Sequence, residues 1–99
     1  MKVRKSLDIQ RTLIMKGFIL DTEKKHHKFY SLHANGKKQA IYTYFSHKKK
    51  DYGQELMSEV RKQLKFRTSE EAELFFDCPM TKEDYIRMLI EQEEIQNQF

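Results

Sequence analysis

Residues 27–46, HKFYSLHANGKKQAIYTYFS, constrain the fold of this chain more than any other stretch. Asn35-Gly36 stands between two alternating segments. Asn-Gly is the strongest short hairpin signal, because both residues tolerate the positive φ that a two-residue turn needs. Before the turn, His27, Phe29 and Ser31 face one way, and Lys28, Tyr30 and Leu32 the other. After it, Ile41, Thr43 and Phe45 share one face and Tyr42 and Tyr44 the opposite one. Such β-branched and aromatic residues suit a pleated, half-buried surface. Upstream, FILDT is a short apolar run bounded by charged residues and reads as a further strand. The three segments together predict an antiparallel meander.

Helical patterns flank it. Over residues 7–16, Ile9 and Leu13 lie four apart, as do Gln10 and Ile14, so one side is apolar and Arg11 and Lys16 are expected to point outward. Ser6 is placed to cap this helix, Asp8 suits its first turn, and Gly17 suits the left-handed residue just past its end. Downstream, Leu56, Val60 and Leu64 step by four beside Met57, which predicts a helix over 51–65. Asp51 and Gln54 have the spacing of a capping box at its start. The fold class is therefore α+β. An α-β-β-β-α core would place two helices on one face of a three-stranded antiparallel sheet and leave the other face open.

Two shorter helices follow. Thr68 with Glu71, and Thr81 with Asp84, each have capping-box spacing, and Pro79 separates the two. Leu74, Phe75, Phe76, Tyr85, Met88 and Leu89 give them apolar faces that must pack on the core or on a partner.

Charge divides the chain at the same place. Residues 1–67 carry 17 Lys and Arg against 6 Asp and Glu; residues 68–99 carry 2 against 9. This predicts a basic unit, 1–67, and an acidic helical extension, 68–99, whose charge could also shield the basic part. A basic surface attracts polyanions by counterion release, which puts nucleic acid first among partners. A membrane partner is not expected, since no apolar run approaches the roughly 18 residues that a span requires. The start, MKVRKSLDIQ, has no apolar stretch of the kind a secretory signal has. The single cysteine, Cys78, reads as a small buried residue and fits a reducing interior, so a cytoplasmic location is expected.

The chemistry-bearing residues cluster in 24–53. That stretch holds all four histidines and eight of the 19 Lys and Arg residues. Adjacent His26 and His27 would face opposite sides of a strand and cannot chelate one ion together, so neither a metal nor any other cofactor is expected. A histidine among lysines has another use. RNA cleavage by its own 2′-hydroxyl needs a base for that proton and an acid for the leaving oxygen, roles imidazole can fill near neutrality. Cations would stabilise the charge that develops. On spacing alone, the plainer reading of ordinary polar residues on an exposed strand is favoured. Lys48, Lys49 and Lys50 point more clearly to function. At the start of a helix they oppose the macrodipole unless an anion binds there. Tyr42 and Tyr44 could stack on bases, but a place in the core is the expectation.

The order α-β-β-β-α resembles the double-stranded-RNA-binding fold. Within it, KGF, HHKFY, NGKK and IYTYFSH resemble the HicA-like (YcfA-type) toxins, small ribonucleases of toxin–antitoxin pairs. The resemblance covers about residues 6–66. In that family a strand opens with Gly-Ser-His, and the histidine is catalytic. Matching the aromatic pair at Phe29-Tyr30 implies His27 at that position, and a one-residue shift implies His26. Lys25-His26 stand where the family has Gly-Ser. The resemblance implies an RNA-binding protein, metal-independent cleavage of mRNA, and an antitoxin partner. Lys48, Lys49 and Lys50, with Lys24, Lys25 and Lys28, would hold backbone phosphate. Two other readings stay open: a nucleic-acid-binding module without catalysis, and a protein-interaction domain that forms a homodimer through its acidic helices.

Overall fold

The structure, a computed structural model, describes residues 1–24, 27–46, 48–77 and 79–96, with the side chains of 22–24 outside the description. Lys25, His26 and Cys78 therefore lie outside the described residues. The elements in chain order are β1 (Arg4–Lys5), α1 (Ser6–Met15), β2 (Phe18–Lys24), β3 (His27–Ala34), β4 (Lys37–Ser46), β5 (Asp51–Tyr52), α2 (Gln54–Gln63), α3 (Ser69–Phe76) and α4 (Lys82–Glu91).

The expected meander forms: β2, β3 and β4 make an antiparallel sheet in sequence order. Ala34 pairs with Lys37, and Asn35 and Gly36 close the turn at φ 56° and 73°. Two positive values in succession are what a type I′ hairpin requires, and they explain why Asn-Gly stands there. Alternation then sends Phe18, Tyr30, Leu32, Ile41, Thr43 and Phe45 to the helix-covered face, where all are buried. Tyr42 and Tyr44 take the other face. They are not core residues: each stays substantially exposed, at 50% and 39%.

Helix α1 buries Ile9 and Leu13 against the sheet, each worth about 1.5–3 kcal/mol relative to exposure. It ends as expected, with Gly17 at φ 98°, a value that glycine accepts without strain. Three local expectations fail. Ser6 does not cap the helix: Lys5 is the N-cap and supplies no side-chain bond. Ser6 is instead the first helical residue, and its N–H donates to the Lys50 carbonyl at 2.7 Å. Ile14 is exposed, while Gln10 is buried. Lys16 does not point outward. It is buried, its Nζ donates to the Phe75 carbonyl, and the ammonium stands 4.5 Å from the Phe75 ring centroid. A long apolar stem and a cation–π contact let a lysine do this.

Helix α2 starts later than its pattern suggests. Asp51 and Tyr52 are drawn into a small antiparallel ribbon with β1, pairing Lys5 and Arg4 respectively. The Asp51–Gln54 capping box therefore does not form, and Gly53 is an N-cap with no side-chain bond. Met57, Val60 and Leu64 are buried as their spacing requires.

The acidic extension packs on the core of its own chain. Tyr85 of α4 lies with its ring 6.0 Å from Phe18, 5.3 Å from Phe66 and 4.9 Å from Phe75, and its hydroxyl donates to the Leu64 carbonyl at 2.8 Å. Arg4 binds Glu73 at 2.9 Å and Asp77 at 3.0 Å, and Lys2 also reaches Asp77 at 3.0 Å. Both expected capping boxes are present, Thr68 with Glu71 and Thr81 with Asp84. Leu74 departs from expectation and is exposed. Among the described residues, no helix is long and apolar enough to cross a membrane.

Candidate functional site

A cavity of about 600 Å³ opens at the end of the sheet where β3 begins and β4 ends. Lys5, Lys28, Lys49 and Lys50 line it on the solvent side, and the buried Ser6, Gln10 and Phe45 line it on the inside. Three structural facts bring these residues together. The β1–β5 ribbon sets Lys5 beside Asp51, and the Ser6–Lys50 backbone bond fixes the lysine run against the start of α1. The pairing of Lys28 with Phe45 carries Lys28 to the same place.

The inner wall has a directed hydrogen-bond chain. The Tyr30 hydroxyl donates to Gln10 Oε1 at 2.7 Å, and Gln10 Nε2 donates to Ser6 Oγ at 2.9 Å. Ser6 Oγ thus serves as acceptor. Among the described residues, its own proton has no acceptor and remains available to something in the cavity. The Ser6 N–H is taken by the Lys50 carbonyl; the first-turn N–H groups after it lack intrahelical acceptors by the geometry of any helix start, and Lys5 supplies no side-chain cap.

Among the described side chains, little compensates this charge. Asp51 also lines the cavity. Among the described residues, no ion pair joins Lys5, Lys28, Lys49 or Lys50 to a carboxylate. No described residue of the extension lines the cavity either. Its Glu73 and Asp77 instead face Arg4 and Lys2. Cations, a helix N-terminus and a hydroxyl donor converging on one hollow form an arrangement suited to an anion of phosphate type.

The structure brings together three of the sequence-predicted cations, Lys28, Lys49 and Lys50. Lys48 is exposed outside the cavity lining, and its N–H donates to Ser46 Oγ at 3.2 Å. Lys24 is placed only through its backbone, which pairs with His27. The helix start that meets the lysines is that of α1 rather than α2, because β5 intervenes before α2. His27 does not join them. Neighbours along a strand face opposite sides, so Lys28 turns toward the cavity and His27 toward the open face. There its ring meets Tyr44 edge-on at 5.4 Å and lies 6.3 Å from Phe29. Among the described residues, no three His, Cys, Asp or Glu side chains cluster as a metal site.

Sequence reasoning missed Lys5, Ser6 and Gln10. The signal for Lys5 was present: a lysine directly before a helix start, where capping residues are preferred, repeats the oddity of Lys48–Lys50. Gln10 gave none, because its spacing assigned it to an apolar face.

No family model, curated protein or solved structure matches the chain.

Proposed function

We propose that this chain is a nucleic-acid-binding protein, with RNA as its first candidate ligand, and that the cavity at the end of the sheet holds a backbone phosphate. One observation carries this: Lys5, Lys28, Lys49 and Lys50 surround the uncapped start of α1 and the Ser6 hydroxyl, without carboxylate partners among the described residues. Binding a polyanion there would release condensed counterions, so affinity is expected to fall steeply with salt.

The proposal is binding, the half of the HicA-like expectation that the cavity serves. A general base must come within hydrogen-bond reach of the proton it removes. His27 and Lys28 face opposite sides of β3, and no described histidine lines the cavity.

The test is fluorescence anisotropy with a labelled RNA over a salt series. Wild type is expected to bind, with a log–log slope of about −0.7 to −0.9 for each phosphate neutralised. The double change Lys49→Glu and Lys50→Glu is expected to weaken binding about tenfold or more and to flatten the slope. Equal affinity and slope in a variant with an unchanged circular dichroism spectrum would remove the cavity from the binding site.

A further inference from the structure

On the face of the sheet turned away from the helices, Tyr42 and Tyr44 stand on one strand and Phe29 on the next. Phe29 lies 5.4 Å from Tyr44 and 6.3 Å from Tyr42, and His27 extends the group through its edge contact with Tyr44. Open faces of antiparallel sheets are ordinarily polar. Here the tyrosines leave about half and two-fifths of their surface in solvent, at 50% and 39%. A shallow hollow of about 360 Å³ lies beside Phe29 and Tyr42, edged by Asp21, Ser31, Lys38 and Gln39. Rings with polar edges are what unpaired bases need, a surface to stack on and partners for base-edge hydrogen bonds.

The rings also lie between cations. At one end, Lys65 shares a small depression with Tyr42. At the other, the next residue pair along the sheet, Lys28 with Phe45, belongs to the basic cavity, while Phe29 with Tyr44 belongs to the aromatic face. A chain leaving the cavity therefore has only the end of one sheet to round before meeting Tyr44. A duplex cannot use such a surface, because its bases are already stacked and paired. A second copy of this chain suits it less well: the Asp21–Lys38 ion pair and the polar edge sit where the centre of a protein interface is depleted of charge.

We infer that the open face is a base-stacking surface for single-stranded nucleic acid, with Tyr42, Tyr44 and Phe29 as the stacking residues. This rests on the proposed phosphate cavity and deepens it, by naming the strandedness of the ligand and a second site for it.

The experiment compares a short single-stranded RNA of mixed sequence, an abasic oligomer of the same length and charge, and the corresponding RNA duplex. Wild type should bind the base-bearing strand about tenfold or more tighter than the abasic one, as expected from aromatic–base stacking. The duplex should show no such gain. Tyr42→Leu with Tyr44→Leu should abolish the preference and leave abasic binding unchanged. The same variant should lose the fluorescence quenching of a 2-aminopurine strand that wild type produces. Both tyrosines are exposed, so the fold should tolerate the change, checked by its melting midpoint. Equal wild-type binding of base-bearing and abasic strands would overturn the stacking surface and leave the phosphate cavity standing. Binding of neither would overturn both. A preference that survives the double change, or a dimer in sedimentation that the double change dissociates, would overturn the stacking assignment.

Discussion

Tyr85→Ala is the change that best tests whether residues 68–96 belong to the fold or merely rest on it. Tyr85 is fully buried, and its ring meets Phe18, Phe66 and Phe75, which come from the sheet, the segment after α2, and α3. Removing a large aromatic from such a site costs about 3–5 kcal/mol, through lost burial and the cavity left behind. A domain's whole stability is about 5–15 kcal/mol, and for a chain of this length 1 kcal/mol moves the midpoint by about 4–8 °C. The variant should therefore melt at least about 12 °C below wild type. Tyr85→Phe isolates the hydroxyl. It keeps the ring and leaves the Leu64 carbonyl without its 2.8 Å donor, at a cost of about 1–3 kcal/mol. Thermal melts followed by far-ultraviolet circular dichroism and by tyrosine absorbance read both effects. One cooperative transition, displaced in both signals, is expected. Two transitions in Tyr85→Ala, with one left at the wild-type midpoint, would refute a single shared core. An unshifted Tyr85→Phe would refute the hydroxyl's contribution.

Thr81→Ala removes the capping box of α4 and should cost about 1 kcal/mol, read as a midpoint about 4–8 °C lower. Thr81→Ser should leave the midpoint nearly unchanged, and an equal loss in both variants would contradict a capping role. Stability should also depend on pH at both extremes. Hydrogen bonds from Arg4 and then Lys2 hold the Asp77 carboxyl below its usual range, the Thr81 N–H and side chain do so for Asp84, and Lys38 does so for Asp21. A lowered folded pKa gives stability that is present above the unfolded value, about 3.9, and lost as pH falls through the folded one. Burial pushes the Tyr85 phenol up, so its contribution is intact below about pH 10 and lost above it. Melting midpoints should form a plateau between about pH 5 and 9, and Asp77→Asn should flatten the acid limb; a wild-type profile flat to pH 2 would contradict these pairings.

Much of the fold was legible because its signals are local. Asn35-Gly36 specifies a turn through backbone conformation, Gly17 ends α1 for the same reason, and Thr68 and Thr81 with their acidic partners start α3 and α4. What was missed depends on residues far apart in sequence. The capping pattern at Asp51 competes with a pairing to Lys5, and nothing near Asp51 announces that partner. Lys16 has the spacing of an outward residue, and its burial follows from a carbonyl at Phe75. Alternation in β4 separates Tyr42 and Tyr44 from Ile41, Thr43 and Phe45 but does not say which set the helices cover. The site divides the same way. The lysine run was visible, but its meeting with Lys5 and Lys28 was not, since it requires the ribbon and the β3–β4 register. Alternation along β3 separates His27 from Lys28, its neighbour in sequence.

The helix starts bear on function as well as stability. The two helices of the extension begin with complete capping boxes. Helix α1 begins with Lys5, which supplies no cap, at a position where Ser, Asp or Asn would typically add about 1 kcal/mol. A lysine there also sets a positive charge against the positive end of the helix dipole, and Lys28, Lys49 and Lys50 line the same hollow. Each choice lowers the stability of the free protein, and all of them fall at one cavity. A polar chain from Tyr30 through Gln10 supports it from inside and leaves the Ser6 proton available. An anion in the cavity would reverse the sign of every one of these terms: it accepts from the first-turn N–H groups and the hydroxyl, meets the dipole favourably, and relieves repulsion among the lysines. The missing side-chain cap of α1 falls at this cavity, whereas the start of α2 at Gly53 lies outside its lining. On the proposed function, a phosphate held at α1 is what would offset that weak start.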